Sequence, residues 1–296
     1  MKFNGFDIEL KNLKSAKIQE KIGFLLLFCC ILLSLAFLVI LIYFVFSRGI
    51  SVLSWSFLTE EPRRAMTAGG VAPAIVGTIY LTVLAILFSL PIGVSCAIYL
   101  NEYANRGFWS NLIRLSISNL AGVPSVVFGL FGLLVFVKLC GFGISILAGS
   151  LTLSLMILPS IITASQEALQ SVPNSLREGS LALGATKSQT IFKVVLPNAI
   201  SGILTGVILS IGRAAGETAP IMFTAAVFYK KGYPNSILSE VMALPYHIYA
   251  LMTEGTKPDK QTAIAFGCAF ILMLLVVAIS FLAIVVRQRQ RRKYNA

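Results

Sequence analysis

Two charged residues stand where a membrane-spanning helix normally carries none. Arg213 and Glu217 lie inside the apolar run PNAISGILTGVILSIGRAAGETAPIMFTAAVF, residues 197–228, near the middle of the span it predicts. Four positions apart, they share one helix face. A guanidinium is planar and always charged, and it presents paired donors that match an oxyanion bidentately. A carboxylate beside it holds the guanidinium when no anion is present and repels a resting anion, which favours release. Thr218 follows directly. A charge at the bilayer centre costs at least ~2.5–3.5 kcal/mol, so an intramembrane pair is a functional candidate. The alternative is an ion pair that only fixes helix packing. Arg before Glu is not the more stabilising order on a helix, which weakens a purely local role.

A second stretch, Glu178 to Pro197, is polar at first and then enters that same run. Glu178–Ala185 is rich in helix formers, with Gly184 as a stop, and Pro197 begins the next span where its missing N–H costs little. A short helix on the membrane surface would be a lever for a partner protein; a mere connector is the other reading. Gly202, Gly206, Gly212 and Gly216 form two small-xxx-small patterns suited to close helix packing, and Pro220 beyond them permits a bend at the level of the charges.

The elements that must position these residues are membrane helices. Of 296 residues, 57% are hydrophobic and 12% charged, against about 25% charged in soluble domains. The mean hydropathy is +0.86. The net charge of +12 is carried by residues flanking apolar runs, a topology signal rather than a nucleic-acid surface. Five cysteines, Cys29, Cys30, Cys96, Cys140 and Cys268, lack the spacing of a disulfide framework or zinc site and read as packing residues.

Six spans are predicted: 22–46, 71–100 with a kink at Pro91, 112–138 interrupted at Gly122–Ser125, 144–165, 197–228 and 262–286. The first is too long for a cleaved signal and reads as a retained anchor. Both termini then fall on one side, marked as cytoplasmic by the tail lysines and by Arg287, Arg289, Arg291, Arg292 and Lys293. The loops 101–110 and 166–193 share that side with Arg106, Arg177, Lys187 and Lys193. The loops 48–70 and 229–261 face outward with Arg48, Arg63, Arg64, Lys230, Lys231, Lys257 and Lys260. The only histidine, His247, is expected at a surface or interface of an outer amphipathic stretch. Asn119 and Ser125 are weaker pathway candidates near Pro124.

Glu178-Gly179-Ser180, three residues, Gly184, nine residues, then Val194-Val195-Leu196-Pro197 resembles the EAA loop of ABC importer permeases. Gly179 and Ser180 stand for the two alanines and Val194 for the isoleucine, while Glu178, Gly184, Leu196 and Pro197 match. GRAAGETAPI (212–221), AGVPSVVFGLFG (121–132), REGSLALGAT (177–186) and LPYHIY (244–249) are similar to the PstA family, permease subunits of phosphate ABC importers.

That resemblance implies an all-α polytopic fold of six transmembrane helices, the type I (MetI-like) permease domain over 71–286, flanked by 1–70 and a basic tail at 287–296. It implies a coupling loop at 166–197, with Glu178, Gly179, Gly184, Ala185, Leu196 and Pro197 docking an ATP-binding subunit, and a phosphate pathway at Arg213, Glu217 and Thr218. The implied partners are a PstC-like permease, PstB-like ATPase subunits and a PstS-like phosphate-binding protein, in the bacterial inner membrane.

The chain has no G-x-x-x-x-G-K-[ST], no catalytic triad and no metal-ligand cluster, so no enzyme activity or cofactor is expected of it. Three alternatives stay open: an importer of another oxyanion such as molybdate or sulfate, an ion-coupled secondary transporter, and a non-transport membrane anchor.

Overall fold

The computed structural model describes residues 4–63, 66, 68–105, 107–255 and 258–294. Arg64, Arg106 and Lys257 lie outside them, as do the side chains of Lys11, Lys14, Lys17, Arg291, Arg292 and Lys293.

Helix α1 (Asn4–Gly49) absorbs the basic N-terminal tail as well as the first span. None of its most apolar stretch is buried within the chain; contact comes near its C-terminal end, where Phe44 meets Phe266 and Phe46 meets Phe270. Gly49 brings its backbone against that of Phe266, too close for any side chain. The short α2 (Trp55–Thr59) is capped by Ser54, whose hydroxyl accepts from Phe57 N at 3.1 Å. Two-residue strands β1 (Pro62–Arg63) and β2 (Ala68–Gly69) then pair antiparallel and lead into α3 (Ala72–Ile98), which runs unbroken through Pro91.

The predicted third span is not one helix. A π-helical turn at Tyr99–Tyr103 leads to α4 (Phe108–Ala121), and α5 (Ser125–Gly132) follows at 103° to it. Pro124 is the reason: it has no N–H to donate, and it biases Val123 away from helical backbone. A second π-helical turn, Leu133–Leu139, extends α5. The fourth span is α6 (Ile146–Gln170), the most buried helix of the bundle, with Pro159 inside it. Next come α7 (Asn174–Ala182), α8 (Lys187–Thr190), a π-helical turn at Ile191–Val195, α9 (Leu196–Gly216), α10 (Ala219–Thr224), α11 (Leu244–Thr253) and α12 (Pro258–Tyr294). Among the described residues five helical stretches are long and apolar enough to cross a membrane, six when the bent pair α4–α5 is counted as one broken span.

The fifth span differs from expectation at both ends. Its helix begins at Lys187, ten residues before Pro197, because the π-helical turn joins α8 to α9 and lets Leu196 N–H reach Ile191 O. Pro197 therefore enters a helix already under way. The span then stops at Gly216 instead of reaching Phe228.

Three clusters fill the core. The central one joins α3, α5, α6 and α9 through Leu81, Phe128, Leu153, Ile157 and Ala214. At one end Ala97, Leu169, Val195 and Ile203 pack together; at the other, Phe57, Met242, Leu251 and Ile271 do so. Because lipid tails are as apolar as leucine, close packing rather than water exclusion must hold such helices together. Gly202 and Gly206 meet that need: they oppose Ala168 and Ala164 of α6, small residues against small residues at the same four-residue spacing. Gly212 and Gly216 do not, since the first has only ordinary contact with Val276 and the second opens on space.

A leucine at Gly206 has no room against Ala164 and wedges α6 from α9. Overpacking of this kind costs about 1–3 kcal/mol, so Gly206→Leu is expected to lower the thermal midpoint of the detergent-solubilised protein by several degrees. Gly216→Ala should leave it unchanged. Size-exclusion melting curves of the two variants make the comparison.

Candidate functional site

Arg213 sits in the last turn of α9, and Glu217 lies just past its end, where the backbone leaves helical geometry (ψ 130) before Thr218 leads into α10. The pair thus marks a break in the span, not its uninterrupted middle. The predicted bend at the charges exists, between Gly216 and Ala219. Leu153 of α6 and Thr78 and Thr82 of α3 line the same small cavity as Glu217. Leu153 is seven residues, about 10 Å, from the start of α6, so the carboxylate lies well within the depth of the bundle. That cavity measures about 10 Å³, room for one water at most.

Arg213 Nε is 3.7 Å from Glu217 Oε1, an ion pair too long for a hydrogen bond, and the side chains are 41% and 21% exposed. Leu209, Arg213 and Gly216 are all exposed and fall on one face of α9, while Ala214, Ala215 and Ser210 are buried on the other. The guanidinium therefore points away from the chain's own core. The negative end of the α9 dipole and Glu217 both favour a cation there, yet neither engages its full set of donors. Thr218 is half-buried at the break. Asn119 is exposed near the end of α4 and Ser125 opens α5. The glycines of the AGVPSVVFGLFG motif have a packing role: Gly129 lies against Ala219, Pro220 and Phe223, and Gly132 against Thr152 and Thr224.

The second predicted site is a projecting hairpin. Its helix is α7, four residues earlier than expected at its start, opened by Pro173 and closed by Gly184 at φ +83. That left-handed corner is where glycine is needed, and Gly184 N and Ala185 N return to Leu181 O and Ser180 O at 3.0 and 3.2 Å. Ser180, one of the departures from the alanine pattern, shares a 2.9 Å hydrogen bond with Thr190 and ties α7 to α8. Thr186 and Gln189 form a capping box at the start of α8. Glu178 is exposed, and a side chain at Gly179 would meet open space. Ala185, Leu196 and Pro197 are half-buried along the way into α9.

Two residues here escape a reading of the sequence. Leu183, beside the glycine corner, is 90% exposed. Arg177 reaches out of the hairpin to pair with Glu102 at 2.9 Å. An apolar residue next to a glycine stop is a visible signal for Leu183; nothing in the sequence joins positions 102 and 177.

His247, expected at a surface, is 1% exposed, and among the described residues neither ring nitrogen has a hydrogen-bond partner. Its helix, α11, turns that face inward with Leu244 and Leu251. Burial pulls the imidazole down to about 4, and the nearby Phe228 backbone opposes this only in part. The sign follows. Below about 6.5 the unfolded chain takes up a proton that the folded one refuses until about 4, so stability is full above pH 6.5 and falls between the two values. The loss amounts to about 3 kcal/mol. Thermal midpoints in detergent from pH 7 to pH 4 should fall accordingly, and the fall should be much smaller in His247→Phe.

A broken-span helical bundle with a projecting hairpin feeding one long helix is the architecture of a membrane permease. Residues 89–292 match the family described as binding-protein-dependent transport system inner membrane component. The chain is 33% identical over 278 residues to the probable ABC transporter permease protein YqgI of Bacillus subtilis, covering 90% of this chain and 94% of that one. It is 34% identical to the probable phosphate transport system permease protein PstA of Methanocaldococcus jannaschii, over 88% and 91% of the two chains. The phosphate transport system permease protein PstA 1 of Mycobacterium tuberculosis is 35% identical, over 93% and 91%.

Among solved structures, a bacterial ABC transporter for the acidic polysaccharide alginate superposes with a TM-score of 0.59 at 16% identity, covering 96% of this chain and 97% of that one. The inward-facing MetNI methionine ABC transporter gives 0.58 at 20% identity, over 73% and 94%. The chain belongs to the binding-protein-dependent inner membrane transport family, as an ABC importer permease of the PstA type with the MetI-like fold.

Proposed function

We propose that this chain forms half of the translocation pathway of an ATP-driven importer for inorganic phosphate. One observation carries the reading. A single helical stretch, Lys187–Gly216, joins the projecting hairpin at one end to the Arg213–Glu217 pair at the other, about 45 Å away. A push on the hairpin is therefore delivered to the anion site through a rod, without intervening loops. The hairpin, with Glu178, Gly179 and Gly184 at its surface, docks an ATP-binding subunit. ATP hydrolysis belongs to that PstB-like subunit, and this chain is not itself an enzyme.

Arg213 faces a homologous PstC-like permease across the pathway, and a PstS-like binding protein delivers phosphate from outside. Residues 71–286 act as the permease domain and 166–197 as its coupling loop. The protein sits in the bacterial inner membrane with both termini cytoplasmic. The PstA-named relatives support phosphate, and so does chemistry: phosphate keeps a proton at neutral pH that Glu217 can accept as a hydrogen bond, whereas sulfate and molybdate offer none and are repelled.

The test is uptake of labelled phosphate into cells lacking their own high-affinity system and supplied with the neighbouring transport subunits. ATP-dependent uptake that resists a tenfold excess of sulfate or molybdate is expected. Uptake of either of those anions in place of phosphate would redirect the assignment to another oxyanion.

A further inference from the structure

The cytoplasm-facing end of α3 is held by residues of α4, α7 and α8. The π-helical turn Tyr99–Tyr103 ends α3. Arg177 of α7 donates to Glu102 through Nη2 at 2.9 Å and Nε at 3.4 Å, with the two side chains only 16% and 9% exposed. The same guanidinium donates to Leu169 O at 2.8 Å in the last turn of α6, to Val172 O at 2.6 Å just past it, and to Asn174 Oδ1 at 3.2 Å. Asn101 steadies the carboxylate at 2.8 Å. Arg114 of α4 donates to Leu100 O at 2.6 Å, and Lys187 of α8 lies 4.9 Å over the Tyr103 ring. One planar fork thus joins the end of α3 to the corner between α6 and α7, seventy-five residues away in sequence.

We infer that Arg177 and Glu102 form a transmission clamp that makes the end of α3 move with the docking hairpin. The inference rests on the reading that the hairpin receives an ATPase. A continuous helix already links the hairpin to α9; the clamp adds a second output, to α3, whose Thr78 and Thr82 flank Glu217 from the other side. The stroke then moves both walls of the anion site together, and Arg177 and Glu102 act as positioning residues that touch neither anion nor nucleotide. A buried pair of this kind is poor at adding stability but good at holding one relative placement, because an unpaired partner would remain as an uncompensated charge.

Glu102→Ala tests this without uncapping α6, because Arg177 keeps its bonds to Leu169, Val172 and Asn174. In the reconstituted importer, phosphate moved per ATP hydrolysed should fall about tenfold while hydrolysis continues, and Glu102→Gln, which keeps one acceptor oxygen, should fall between. An unchanged ratio in Glu102→Ala would overturn the clamp, even if both rates dropped.

A second measurement is independent of substrate. Spin labels at Tyr99→Cys and at Ser175→Cys, an exposed position of α7, with Cys29, Cys30, Cys96 and Cys140 replaced by serine, report the distance between α3 and the hairpin. It should stay constant between nucleotide-free and ATP-bound complexes and broaden in Glu102→Ala. A shift on ATP binding in the otherwise native chain would sink the clamp. If the native complex transports no phosphate, the functional reading fails, and this distance alone decides the clamp.

Discussion

Replacing Arg213 by alanine is expected to reduce phosphate uptake about 100-fold or more while the assembled complex survives. The guanidinium lies on the face of α9 turned from the chain's core, in a loose 3.7 Å pair with Glu217. Its packing contribution is small, so the fold should tolerate the loss. No other residue of α9, however, carries a cation that could replace the missing donors. Truncating one partner of a desolvated charge pair costs about 2–5 kcal/mol, which sets the scale of the fall. Lysine should not restore uptake, since a point charge on a flexible stem does not reproduce the bidentate fork. Glu217→Gln should behave differently. It leaves the cation in place and removes the charge that rejects fully deprotonated anions, so sulfate should begin to compete with phosphate. Labelled uptake with and without sulfate reads both effects. If Arg213→Ala transports normally, the pair is a packing device at a helix break.

Leu183→Asp is expected to weaken retention of the ATPase subunit about 10–100-fold, the loss seen when a central anchor leaves a protein interface. Leu183 is 90% exposed beside Gly184, whose φ of +83 turns the chain at the tip of the hairpin. Leu176 and Leu181, at 42% and 48%, extend the apolar surface along α7. An apolar knob on a rigid, capped corner costs little to order on binding, which suits a docking element. Co-purification of the tagged ATPase measures the effect, with Tyr229→Ala, in the loop between α10 and α11, as the comparison. Full retention with Leu183→Asp would mean that this leucine dips into the lipid headgroups instead.

Much of the bundle is legible in the chain. The count and order of the spans follow from runs of uncharged residues long enough to cross a bilayer, a test of length and solvation that needs no tertiary information. The glycine corner at 184 follows from residue type, because only glycine adopts that backbone without penalty. Arg213 and Glu217 stand out because an ionised side chain inside an apolar run is costly to keep there. The packing role expected of Gly202 and Gly206 likewise follows from their spacing.

The helix ends are less legible. The fifth span begins ten residues before Pro197 because a π-helical turn carries the helix across it, and it stops at Gly216 because Glu217 turns out of helical backbone. Proline and glycine mark where a helix can bend; the neighbours it packs against determine where it does. The same holds for the 103° break at Pro124, which shows in the sequence only as an interruption. His247 looks like a surface residue on an amphipathic stretch, but which face of α11 turns inward depends on α3 and α12, which sequence periodicity does not order.

The sequence by itself determined the membrane bundle, the glycine stop at 184 and the charged pair, because each follows from local transfer energy or backbone preference. Only the tertiary structure decided that Arg213 faces away from its own core, that Ser180 reaches Thr190, and that Arg177 meets Glu102 seventy-five residues away. Such contacts depend on how helices of equal hydrophobicity pack side by side. In a bilayer that choice rests on shape and a few polar bonds rather than on burial, so it leaves almost no trace in the pattern of apolar residues.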